Sequence, residues 1–155
     1  MARRLGAMLD LPVVHLDSLY WQRGWVAPPR EEWQARVLQV VDRERWVLDG
    51  NYSETLDLRL AAADLAIFLD VPWRTCLRRV ILRTLHSYGR ERADTAPGCR
   101  HRFRWSFLKW DRTYPRQKRP ALVRRLEHVE GITRVIRLRT GKEIRAFLKT
   151  VPSGP

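Results

Sequence analysis

Three short apolar runs in this chain end on an aspartate: Val13-Val14-His15-Leu16-Asp17, Trp46-Val47-Leu48-Asp49 and Leu65-Ala66-Ile67-Phe68-Leu69-Asp70. Near-continuous apolar runs of this length are how strands buried on both faces of a parallel sheet read. An acid at the C-terminal end of such a strand stands at the sheet edge where α/β proteins bind ligands. Three of them imply one polar site along one edge. Helix-period segments separate the runs, and strands alternating with helices imply parallel βαβ units. The expected fold class is α/β, a parallel sheet flanked by helices, in one domain spanning residues 1–155.

Taken in order, residues 2 to 10 read as a helix with Leu5, Met8 and Leu9 on one face, stopped by Asp10-Leu11-Pro12. A strand at 13–17 leads into an aromatic loop containing Tyr20, Trp21 and Trp25. A helix then starts near Pro29 and runs to about Arg43, with Trp33, Val37, Val40 and Val41 facing inward. After the strand at 46–49, a polar turn leads to a short helix over 55–63. The strand at 65–69 is followed by a helix from Pro72 with Cys76, Leu77, Val80, Ile81 and Leu85 on its apolar positions. Residues 87–102 read as a loop. Phe103, Phe107, Trp110 and Tyr114 share the face of another helix, which Pro115 ends. A helix over 122–127 and a strand over 132–138 follow. Thr140-Gly141-Lys142-Glu143 is a capping box opening a final helix that turns Ile144, Phe147 and Leu148 inward.

The charge is uneven. Residues 71–125 hold sixteen Lys and Arg against three acids, and the remainder holds fourteen of each sign, so the whole surplus of +13 sits in that segment. A local basic surface points to an anionic partner, the phosphates of a small ligand or a nucleic acid backbone, although it is also what a plain solvated face looks like. The sequence has no apolar run near the length of a membrane span, so no membrane association is expected. Cys76 and Cys99 form neither a disulfide framework nor a metal spacing, which fits a reduced, cytoplasmic protein.

Read alone, Asp49 followed by Gly50 is either a carboxylate that holds Mg²⁺ near bound phosphates or the cap of a turn. Asp17, beside Tyr20, Trp21 and Trp25, could accept a hydroxyl proton and orient a ring-shaped acceptor, or simply end a strand beside core rings. His15 reads as a satisfied interior histidine, and Asp70 as the N-cap of the helix that follows it. Arg79 and Arg83 lie four apart on one helix face, as do Arg74 and Arg78. Such pairs suit a migrating phosphoryl group, or cover apolar surface with their stems.

Several segments carry a resemblance: His15-Leu16-Asp17-Ser18-Leu19-Tyr20-Trp21, Arg30-Glu31-Glu32-Trp33, Asp49-Gly50-Asn51-Tyr52-Ser53 with Thr55-Leu56-Asp57-Leu58-Arg59, and Ala96-Pro97-Gly98-Cys99. Over nearly its whole length the chain resembles the adenylate-kinase-like P-loop proteins of the bacterial DNA topology modulation (flagellar regulator) family. The resemblance implies a nucleotide-kinase fold, with a five-stranded parallel sheet in order 2-3-1-4-5. It implies ATP and Mg²⁺ as cofactors and phosphoryl transfer to a nucleotide or small-molecule acceptor. Asp49 would face the metal, and Arg79 and Arg83 the phosphoryl group. Asp17, Tyr20, Trp21, Gly50, Asn51, Tyr52 and Arg59 would line the acceptor side. Residues 87–119 would form a basic lid, with Arg90, Arg92, Arg100 and Arg102 as its candidate arginines. The alternative role is a DNA-binding or topology-modulating regulator working through residues 71–125.

One departure is large. Members of that family open with a strand and a G-x-x-G-x-G-K-S/T loop, whose backbone N–H groups, lysine and hydroxyl hold phosphates and Mg²⁺. No such motif occurs in the 155 residues; Gly141-Lys142 is followed by Glu143. The missing strand is the central one, so the strands at 46–49 and 65–69 are expected to flank a vacancy, each roughly 5 Å from its midline. The expectation is a native protein longer at its N-terminus by about ten to twenty residues, and no kinase activity from the 155 residues alone.

Overall fold

The computed structural model describes residues 1–86, 96–99, 114, 117–129 and 132–152, the side chain of Arg83 excepted. Its elements alternate as expected. Helix α1 (Ala2–Leu9) leads to strand β1 (Val13–His15), a short helix α2 (Leu16–Tyr20) and helix α3 (Arg30–Val41). Strand β2 (Val47–Asp49) is followed by a 3₁₀ turn at Ser53–Thr55 and helix α4 (Leu56–Ala62). Strand β3 (Leu65–Leu69) and helix α5 (Trp73–His86) come next, then helix α6 (Arg119–His128), strand β4 (Arg134–Leu138) and helix α7 (Gly141–Thr150).

The strands form two parallel pairs. β1 runs beside β2 with His15 opposite Asp49, and β3 beside β4 with Leu69 opposite Leu138. Among the described residues no ladder joins β2 to β3. Each pair has its own small core. Leu16, Trp33 and Val37 form one, with Leu19, Tyr20, Val41, Leu48 and Tyr52 around it. Leu56, Leu60 and Leu126 form the other, with Ala66, Phe68, Leu122, Val129 and Val135. Helices and side chains bridge the two. α3 packs on α4, and the Arg125 guanidinium donates to the Ser53 carbonyl at 2.7 Å; within the second half, the Thr133 hydroxyl donates to the Leu60 carbonyl at 2.7 Å.

Several local expectations need correction. The run at 13–17 is strand only to His15. Leu16 already begins α2, so Asp17 sits in a first helical turn, where an acid suits the positive helix end. In α5 Cys76, Leu77, Val80 and Ile81 are half-buried as expected and Thr84 is buried, whereas Leu85 is 69% exposed. Steps of four hold one helix face, and Leu85 lies off the line that Cys76 and Val80 define. α6 starts three residues earlier than its apolar pattern shows, with Pro120 in its first turn. The capping box of α7 is made: the Glu143 N–H donates to Thr140 Oγ1 at 3.1 Å, and Glu143 Oε2 accepts from the Arg139 N–H at 2.7 Å. The lid arginines Arg90, Arg92, Arg100 and Arg102 lie outside the described residues, as does all of the helix expected from Phe103 to Pro115 except Tyr114, which is helical.

α1 meets β1 at Gly6. A Cβ built there would come within 2.2 Å of Val13 Cγ2 and 2.8 Å of the Leu11 carbonyl. Alanine in place of glycine normally stabilises a helix by about 1 kcal/mol. Here the contact reverses the sign, and Gly6→Ala is expected to cost about 1–3 kcal/mol through overpacking. Urea unfolding with a lowered midpoint and unchanged slope checks this.

Candidate functional site

The C-terminal ends of the strands carry most of the polar side chains singled out in the sequence. At the β1–β2 end, strand register alone sets His15 opposite Asp49. The imidazole Nδ1 and Asp49 Oδ2 are 3.0 Å apart. The Arg3 guanidinium Nε donates to the other ring nitrogen at 3.4 Å, which makes Nε2 the acceptor and leaves Nδ1–H to donate to Asp49. His15 is therefore not merely an interior residue: it orients the carboxylate. Asp49 remains half exposed, and its Oδ1 has no partner among the described residues.

Next to it, the Tyr52 hydroxyl donates to Asp17 Oδ1 at 2.7 Å. Tyr52 also receives a hydrogen bond from the Trp21 side chain. Burial, the hydrogen bond to Asp17 and the charge of Asp17 push the Tyr52 phenol well above its ordinary range, so it stays protonated and donating. Tyr20, Trp33 and Tyr52 pack as a ring cluster with centroids 4.7–5.0 Å apart, and Trp21 and Trp25 extend it. Gly50 makes this packing reachable. It sits at φ +147, and a Cβ there would fall 2.7 Å from Leu16 Cβ.

Arg59 is placed differently from an acceptor-side arginine. Its guanidinium donates to the carbonyls of Gly50 (3.2 Å), Tyr52 (2.6 Å) and Thr55 (3.2 Å). Burial lowers its pKa to about 10, still charged at neutral pH. The side chain braces the segment that displays Asn51 and Tyr52.

At the β3–β4 end, Asp70 does not cap α5. Arg119 Nε and Nη2 reach its two oxygens at 2.7 and 2.8 Å, and Arg137 Nε donates to Oδ2 at 2.8 Å. A nearly buried carboxylate next to two guanidiniums gains more from charge-assisted pairing than from one cap. The two ends are linked: Asn51, after β2, hydrogen-bonds Tyr114, whose phenol also feels the charges of Asp70 and Arg119. Burial is the main reason that phenol is raised. Arg79, exposed on α5, brings its Nη2 to within 3.9 Å of where a Gly141 Cβ would stand, beside the start of α7. Arg83 follows one turn later on the same helix.

The structure thus gathers Asp17, Tyr20, Trp21, Gly50, Asn51, Tyr52 and Asp49 at one edge, with Arg59 beneath them. Sequence reading missed His15, Arg119 and Arg137 as partners of those acids. For His15 no local signal gave the pairing, because aligning the two runs by their terminal acids would set Asp17 opposite Asp49, two residues off the register that forms. Arg119 and Arg137 reach Asp70 from 49 and 67 residues away, and no local pattern encodes that.

No protein-family model, curated protein or solved structure matches this chain.

The Arg119 hydrogen bonds, followed by those from Arg137, hold the Asp70 pKa at about 2. A depressed carboxylate stabilises the fold fully above its unfolded pKa near 4, and the gain is lost as pH falls through the folded value. The wild type is expected to lose stability between about pH 4 and pH 2 more steeply than Asp70→Asn, whose two arginines keep no ionised partner. At neutral pH that variant is expected to be less stable by about 1–3 kcal/mol. Urea unfolding at stepped pH measures both.

Proposed function

We propose that this chain forms the acceptor and lid portion of a P-loop nucleotide- or small-molecule-kinase-type domain, acting in ATP-dependent phosphoryl transfer. One observation carries the reading: among the described residues the strands make two parallel pairs, unjoined between β2 and β3, with acids and arginines at the same edge. In a sheet of order 2-3-1-4-5, removing strand 1 leaves pairs 2-3 and 4-5, and β1–β2 with β3–β4 correspond to them. The same order is the one implied by the resemblance to the DNA topology modulation family.

The residues suit Mg²⁺ in one limited way. Among the described residues no group of three side chains could hold a metal ion unaided. Magnesium, however, keeps several waters and commonly takes one or two carboxylates together with substrate phosphates. Asp49, steadied by His15 and with Oδ1 open, fits that part. When bound, the ion would neutralise charge on the phosphate oxygens. Asp17 would face the acceptor with its free Oδ2, Arg79 and Arg83 would offer positive charge from α5, and Arg119 and Arg137 would fix the far edge. The phosphates of ATP have no cradle in these 155 residues, because the glycine-rich loop is not among them.

The 155-residue chain is expected to turn over no ATP. A chimera carrying a strand and a G-x-x-G-x-G-K-S loop ahead of Met1 is expected to hydrolyse or transfer the γ-phosphate. In that chimera Asp49→Asn should lower kcat at least about 100-fold. Turnover by the unmodified chain, or none by a well-folded chimera, refutes the reading.

A second reading keeps one observation in its favour: α5 carries four arginines and no acid, within the basic stretch 71–125. If DNA is the partner, log affinity should fall linearly with log salt, by roughly 0.9 per phosphate contacted. A shallow slope removes this alternative.

A further inference from the structure

The acceptor corner is built from rings and a carboxylate, and two of its neighbouring arginines have their guanidiniums directed at other groups. Arg59 has given its guanidinium to the carbonyls of Gly50, Tyr52 and Thr55. Arg36, the other arginine bonded to this corner, donates to the Leu19 carbonyl at 2.8 Å and pairs with Glu32. Arg23 lies in the adjoining turn with its stem against Gly98. What faces outward is different in kind. Asp17 has one oxygen held by Tyr52 and no partner for Oδ2 among the described residues. Trp21 and Trp25 are partly exposed and meet at 5.5 Å with their planes 66° apart.

Trp25 carries a second signal. Its φ is +66, a left-handed conformation that large side chains rarely adopt. A turn closed by Gln22 N–H to the Val26 carbonyl (2.9 Å) and Trp25 N–H to the Gln22 carbonyl (3.0 Å) holds it there. Such strain persists only where the surroundings enforce it, and it gathers at ligand clamps. Here it brings a second indole to the first.

We infer that the acceptor is a planar-ring compound with a free hydroxyl and no phosphate, a nucleoside rather than a nucleoside monophosphate. Its ring stacks on Trp21 with Trp25 meeting it edge-on, and its hydroxyl donates to Asp17 Oδ2. A phosphate in the same place would meet the Asp17 charge, while the Arg59 and Arg36 guanidiniums point at backbone carbonyls and Glu32. The inference rests on reading this edge as the acceptor side, and it departs from the acceptor role that resemblance gives Arg59.

The test is binding to the 155-residue chain, read by tryptophan fluorescence at low salt. The probes are adenosine, guanosine, cytidine, uridine and thymidine, each beside its 5′-monophosphate. At least one nucleoside is expected to bind roughly tenfold or more tighter than its monophosphate. Asp17→Asn should shrink that preference below about threefold, and Trp21→Phe should remove most of the fluorescence change. Urea unfolding of both variants verifies that they remain folded, and Trp25→Phe replaces Trp21→Phe if the latter does not. A monophosphate that binds tighter than its nucleoside overturns the inference, and loss of that binding in Arg23→Ala would locate the phosphate. A preference that survives Asp17→Asn, or no nucleoside binding at all, also overturns it. The kinase reading stands or falls separately on ATP turnover by the chimera. Monophosphate preference leaves that reading intact, and nucleoside binding without turnover defeats it alone.

Discussion

Parallel strands cannot close on each other through a tight turn, and two of them make a weak ladder with few buried groups. That constraint governs everything else described here. Among the described residues β1–β2 and β3–β4 are each a pair, so ladder bonds between them are few at the edge of the sheet. Side chains add to them. Arg59 braces the segment after β2 through three carbonyls, and the Asp70 carboxylate pins β4 and α6 to the end of β3 through two arginines. α4, wedged between α3 and the second core, joins the two halves.

The two ends of the edge differ in charge for a physical reason. At β1–β2, Asp17 and Asp49 each have one oxygen held by a ring group, the Tyr52 hydroxyl and His15 Nδ1, and the other without a partner among the described residues. At β3–β4, one carboxylate serves two guanidiniums and a net positive charge remains. Tyr114 stands between them, bonded to Asn51 and within the field of Asp70 and Arg119. The edge thus sets carboxylate oxygens at one end and guanidiniums paired with Asp70 at the other.

Much of this was legible in the chain itself. The three aspartate-terminated runs place β1, β2 and β3 within a residue or two, because apolar runs bounded by turn residues leave little choice. The capping box of α7 and the inward face of α3 follow from spacing alone, since steps of three and four define a helix face. Asp17 shows where this stops: its run looks like one strand, yet Leu16 is fully buried under Trp33 and Val37 as the first residue of a helix. Asp70 shows it again, because capping is a local option that two distant arginines outcompete.

The sequence by itself determined the order of strands and helices, the parallel sense of their crossovers and the placing of acids at strand ends. Periodicity and turn chemistry act over a few residues and need no partner. Only the tertiary structure decided which strands pair, that β2 and β3 form no ladder among the described residues, and that Arg59 serves the backbone. It also decided which oxygens of Asp17 and Asp49 stay open. Those outcomes depend on groups from distant parts of the chain competing for the same hydrogen bonds, and that competition is settled only when they meet.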